Sequence, residues 1–126
     1  MDRYVIVIKP HGWYGLLHCY PGDSLELKEL QALVGGYIET VPTVLADNWT
    51  REEDVGVIML VNEEGKLMGL PVNQMATDMI QHPYDTIVGA AVLMGRRGDA
   101  LIGLSEQAAP NIAERWLGEE GCHGDP

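Results

Sequence analysis

Phenylalanine is missing from this chain of 126 residues, cysteine occurs twice and lysine plus arginine only eight times. Each scarcity excludes something. Without phenylalanine, the interior has to be filled by Leu, Val, Ile and Met with a few Tyr and Trp. With 8 basic against 19 acidic residues the formal charge is −11. Binding to a nucleic-acid backbone needs Lys and Arg to neutralise phosphates, so it is not expected. Anionic membranes are disfavoured on the same ground. Cys19 and Cys122 lie far apart and lack the close spacing of a zinc site. Two free thiols in a reduced cytoplasmic protein is the preferred reading, with one long-range disulfide as the alternative. The most apolar stretches, Val55 to Val61 and Ile87 to Met94, fall far short of the ~20 residues of a membrane helix. The opening Met1-Asp2-Arg3 leads into a short apolar run with no small-residue cleavage site, so no targeting segment is expected.

What is present suits one domain. Hydrophobic residues make up 46%, an ordinary globular share. Tyr4 to Ile8 is β-branched and nearly continuously apolar, the pattern of a strand covered on both faces. Trp13 to Tyr20 can form a second strand. Asp23 or Ser24 can cap a helix, Asp23 with Glu26 having capping-box spacing, and Leu27, Leu30, Leu33 and Val34 then recur at helical steps up to Gly35. Tyr37 to Val41 reads as a strand stopped by Pro42, and the polar run Ala46 to Asp54 as a loop. Val55 to Val61 and Lys66 to Met68 flank Asn62-Glu-Glu-Gly65, which predicts a hairpin. Asn73 is a suitable N-cap for a short helix through about Gln81, ended by His82-Pro83. Thr86 to Met94 reads as a strand, Gly95 to Asp99 as a turn, and Ser105 opens a last helical region with Pro110 starting a second segment and Gly118 closing it. The expected fold is α+β: a mainly antiparallel sheet with two or three helices packed against it, in one domain over 1–118, with 119–126 as a mobile tail.

The segment L-x-x-L-V-G-G-Y-I-E at Leu30 to Glu39, followed by V-N-E-E-G-K-L-M-G-L-P-V-N at Val61 to Asn73, resembles the domain-of-unknown-function family numbered 3846. The runs Ile87 to Gly95 and Leu104 to Gln107 fit the same pattern. That family consists of small proteins common in bacteriophages and conjugative elements. The resemblance implies a mobile-element origin and a compact α+β fold, and it implies no activity. The regions Trp13 to Tyr20 and Ala46 to Asp54 depart from its usual form.

Most motif residues have structural work to do. Gly35 and Gly36 end a helix, Asn62 and Gly65 build a turn, and Pro71 and Asn73 start a helix. Glu39 is left over. If Ile38 faces the core, Glu39 lies on the open face as a solubilising residue. If Tyr37 and Val41 face the core, Glu39 is partly buried and needs a partner. Tyr37 and Glu39 are therefore candidate binding residues. Arg96 and Arg97, in a glycine-flanked turn, are candidates for gripping an anion.

No catalytic or metal site is expected. His11, His18, His82 and His123 are scattered, and His18 and Cys19, as strand neighbours, point to opposite faces. No cofactor motif is present. The expected function is a non-catalytic binding protein, cytoplasmic and able to form homo-oligomers, that acts on a host protein or sequesters a small ligand. One alternative is an acidic mimic of DNA that occupies a nucleic-acid-binding host protein. Another is a small enzyme with Glu39 as general base and Arg96 or Arg97 as anion clamp.

Overall fold

The computed structural model describes residues 2–20, 22–81 and 85–118. Seven strands form one antiparallel sheet: β1 (Arg3–Ile8), β2 (Tyr14–His18), β3 (Ile38–Pro42), β4 (Gly56–Asn62), β5 (Ala91–Arg97), β6 (Ala100–Ile102) and β7 (Leu104–Ser105). The central order is β2-β1-β5-β4-β3, with β6 beside β5 and β7 beside β1. Three helices complete an α+β domain: α1 (Leu27–Val34), α2 (Gln74–Thr77) and α3 (Ala108–Ile112), the last running on into a π-helical turn over Ala113–Leu117.

Strand alternation divides the interior into two cores. On one face Ile6, Ile8, Met59 and Leu93 pack with Met79, Ile112 and Leu117 from the α2 and α3 side. On the other, Val5, Val7, Leu60, Val92 and Met94 meet Leu30 and Val34 of α1. The unbroken V-I-V-I of β1 is buried on both faces, as its continuous hydrophobicity requires.

Several local expectations are corrected. Helix α1 is capped at Glu26, whose backbone N–H donates to the Glu29 carboxylate at 3.4 Å, and neither Asp23 nor Ser24 is the cap. Leu25, one residue before the cap, packs with Leu30 as a hydrophobic staple, so Leu25 is buried and Leu27 is exposed. The loop over 46–54 includes a 3-10 turn (Asp47–Thr50), with the buried Thr50 hydroxyl bridging Asp47 and Val55 carbonyls.

The hairpin expected between Val55–Val61 and Lys66–Met68 does not form. The turn bond from the Gly65 N–H to the Asn62 carbonyl exists at 3.2 Å, but residues 63–69 continue as successive turns. Strand β4 already has β3 on one edge and β5 on the other, leaving no edge for a returning strand. The strand expected from Thr86 begins at Ala91, because Gly89 sits at φ +76 with Leu70 closed against it. It runs through Arg97, so the turn shrinks to Gly98-Asp99. The helix expected through Gln81 stops at Thr77, and Ile80 pairs with Thr43 instead. The proposed stop at His82-Pro83 and the tail 119–126 lie outside the described residues. Pro110 sits in the first turn of α3, where its missing N–H goes unused, and it starts no separate segment. Gly118 does close the helix, at φ +76.

Two buried polar groups hold these parts together. Asn73 is fully buried; its amide donates to the carbonyls of Ile8 and Gly89, both at 2.9 Å, while its oxygen accepts the Ala76 N–H at 3.1 Å. It therefore caps α2 and ties that cap to the end of β1. Arg3, only 8% exposed, forms a two-pronged contact with Glu52, one arm at 2.8 Å, and donates to the Gly103 carbonyl at 3.1 Å. Arg97 joins Glu52 at 3.5 Å and Asp54 at 3.1 Å. Hydrogen bonding from Arg3 holds the Glu52 carboxyl below its ordinary range, against the opposing effect of burial, and the same bond raises Arg3. Beside this pair, burial pushes the Cys19 thiol up to about 11.

Three outcomes follow from these contacts. Asn73→Ala strips three hydrogen bonds from buried backbone and should lower unfolding free energy by about 3 kcal/mol in urea titration. The depressed Glu52 carboxyl binds its proton less readily folded than unfolded. Its contribution is therefore complete above the ordinary glutamate range near ~4.3 and fades as pH falls through the lower folded value. Glu52→Gln should cost about 2 kcal/mol at pH 7 and flatten the acid limb of stability against pH below about 5. In a Cys122→Ser background, Cys19 should resist iodoacetamide at pH 8 and react on unfolding, since a buried, protonated thiol is a poor nucleophile.

Candidate functional site

The two motif segments meet in space at the end of β4. The Asn62 side chain, 6% exposed, donates to the Val34 carbonyl at the end of α1 (3.2 Å) and contacts the Met68 sulfur (3.5 Å). Its oxygen accepts the Glu64 N–H at 2.8 Å. One amide thus joins the helix end, the strand end and the 63–69 turns. Gly36 is forced by the same contact, because a Cβ there would lie 2.9 Å from the Asn62 nitrogen. Gly35 takes φ +81, and the N–H groups of both glycines return to the Gln31 carbonyl. The glycine pair leads the chain directly into Tyr37, whose carbonyl accepts the Glu63 N–H at 2.8 Å, and so into β3.

Two concavities flank this junction. The first is a groove of about 330 Å³ on the α2 side of the sheet. Val41, Val61 and Ile87 give it an apolar floor, and Glu39, Glu63, Lys66 and Asp85 stand among its lining residues. Lys66 pairs with Asp85, whereas the side chain of Glu39, exposed and opposite Val61, makes no hydrogen bond or ion pair with the described residues. The second is a hollow of about 300 Å³ at the end of α1, lined by Gln31, Gly35, Gly36, Tyr37, Asn62, Glu64 and Met68.

Both orientations weighed for Glu39 have part of the answer. Ile38 leans on the α1-side core and Val41 on the opposite one, since both faces of the sheet are covered. Glu39 shares the Val41 face and opens into the groove, where an exposed carboxylate needs no partner to stay charged. Tyr37 precedes the strand and lines the hollow.

Arg96 and Arg97 do not join them. They sit on β5 and are not in a turn, and as strand neighbours they point to opposite faces. Arg97 is engaged by Glu52 and Asp54, and Arg96 donates to the Gly98 carbonyl at 3.1 Å. Arg96 pairs with Gly56 while Glu39 pairs with Val61, so the two lie about 17 Å apart along β4. A Glu39 base and an Arg96 or Arg97 clamp cannot act on one small molecule. His18 contacts Asp2 at 3.2 Å and stacks on Tyr4, and the adjacent Cys19 is buried away from it.

Sequence reasoning passed over Lys66, Met68 and Glu64 as site residues, because the expected hairpin placed the first two on a strand and Glu64 in its turn. The one available signal was the density of the motif itself, which carries Leu67 and Met68 where turn chemistry asks for neither.

No curated protein and no solved structure matches the chain. A family model described as Domain of unknown function (DUF3846) matches residues 3–117, and no helix among the described residues is long and apolar enough to cross a membrane. With the match covering nearly the whole chain and both motif segments at this junction, the protein belongs to the DUF3846 family.

Proposed function

We propose that this is a non-catalytic binding protein that holds a segment of a host protein, or a small ligand, against the junction of β3 with the 63–69 turns. The observation that carries the reading is the groove at Glu39. A carboxylate with no partner among the described residues stands over an apolar floor of Val41, Val61 and Ile87. Ligand sites combine these two features: apolar area supplies affinity and a few polar groups fix orientation. The surrounding surface is also unusually apolar for its position, with Tyr37 66%, Leu67 87% and Met68 56% exposed. In this reading the protein works in the cytoplasm of a bacterial host as part of a mobile element, and its net charge of −11 keeps it soluble while favouring cationic partners.

The acidic-mimic alternative draws less support. Its densest acidic run, Glu52 to Asp54, is partly neutralised by Arg3 and Arg97, which breaks any phosphate-like array.

Native mass spectrometry of gently purified protein tests the reading. A retained ligand or stoichiometric partner is expected, together with the oligomer mass. Glu39→Gln should weaken retention and Glu39→Lys should weaken it at least tenfold, while urea stability moves by less than about 0.5 kcal/mol because the residue is exposed. Retention unchanged in Glu39→Lys would remove the groove from the function.

A further inference from the structure

We propose that the hollow at the end of α1 receives a cationic side chain, arginine or lysine, presented by a partner protein. This deepens the binding reading given above and rests on it. The hollow is a negative end without a cation. Helix α1 has no basic residue in its last turn; the Gly35 and Gly36 N–H groups donate to the Gln31 carbonyl and the Asn62 amide to that of Val34, so no cation among the described residues answers the helix end. Helix C-termini carry partial negative charge and are ordinarily answered by Lys, Arg or His. None of the chain's own Lys or Arg residues lines this hollow, and among the described residues its one charged lining residue is Glu64.

Access is built into the backbone. Gly35 at φ +81 and Gly36, closed against Asn62, add no side chain of their own over the end of α1. Neither position accepts a larger residue without strain, so the opening is fixed by the same contacts that shape the motif. Tyr37 and Met68 supply soft, polarisable walls, suited to the methylene stem and flat charged head of arginine. Asn62 anchors the Met68 sulfur at 3.5 Å, so one wall is held in place.

A protein fits better than a free amine. Tyr37 and Met68 line the hollow with exposed apolar side chains, and Leu67, next to Met68 in the chain, is exposed as well; a small cation would leave these wet and a macromolecular surface would cover them. Basic partners are also the ones that a chain of charge −11 attracts at long range.

The test uses the full chain, labelled with nitrogen-15, titrated with acetyl-Gly-Arg-Gly-amide and with the same peptide carrying uncharged citrulline. Saturable shifts are expected at the amides of Gly35, Gly36 and Tyr37 for the arginine peptide. Affinity should fall at least fivefold for the citrulline peptide, and at least threefold in Glu64→Gln and in Tyr37→Ala. If Tyr37→Ala loses its dispersed spectrum, Glu64→Gln decides alone. Absence of saturable shifts, or equal binding of the citrulline peptide, overturns the proposal. Shifts confined to Val41, Val61 and Ile87 also overturn it, while leaving intact the groove reading, which is judged by the Glu39 variants.

Discussion

A single buried amide at the end of β4 joins three stretches of backbone that are distant in sequence. Asn62 holds the last carbonyl of α1, the first turn after β4 and the sulfur of Met68. Three hydrogen-bonding positions satisfied at once in a low-dielectric setting make such a joint specific, because loss of any partner leaves a buried polar group unpaired. The joint also dictates its neighbours. Gly36 has to be glycine because Asn62 occupies the space of a side chain, and Gly35 has to be glycine because of its left-handed backbone. Strand β3 then starts where the glycines release it, which places Tyr37 at the hollow and Glu39 at the groove.

Asn73 repeats the device at the other end of the motif. It fastens α2 to the end of β1 and to the Gly89 carbonyl, and Gly89 in turn lies under Leu70. The stretch from Val61 to Asn73 is thus pinned at both ends by buried asparagines, with Gly65 fitted against Val88 in between. Between those fixed points Lys66, Leu67 and Met68 stand outward. An irregular stretch between two rigid anchors can present side chains precisely enough for binding without belonging to a strand or helix.

Much of this was legible in the sequence, and the rest was not for identifiable reasons. The strands β1 and β3, the helix α1 and the caps at Gly35 and Asn73 each carry local signals that tertiary structure respects. The 62–65 turn was also legible, and its hydrogen bond forms. What followed was not, because whether a strand returns after a turn depends on whether the first strand has a free edge. That is a property of the whole sheet, and β4 proved central. Arg3, placed just before the expected strand, carried no signal of its role, since its partner Glu52 lies 49 positions away in a loop. Glu39 was singled out as surplus to structure, and its side chain has no partner among the described residues, but the choice of face assumed that only one side of the sheet was covered.

The charge distribution ties these observations together. With 19 acids and 8 bases, the domain has few cations to spend on structure, and it places them selectively. Arg3 and Arg97 answer the acids at Glu52 and Asp54, and Lys66 answers Asp85. Of these cations, Arg3 and Arg97 brace the loop at Glu52 and Asp54 against the sheet, where an unbalanced acid would oppose close packing, whereas Lys66 and Asp85 pair at the surface. Glu39 and Glu64 receive none from the described residues. An exposed carboxylate gains little from a surface ion pair, so leaving these two unanswered carries almost no penalty in stability. It does leave negative potential on both sides of β3, beside Leu67, Met68 and Tyr37. On the binding reading proposed above, acidic groups beside apolar side chains would favour a basic partner over an acidic one, through repulsion as much as attraction.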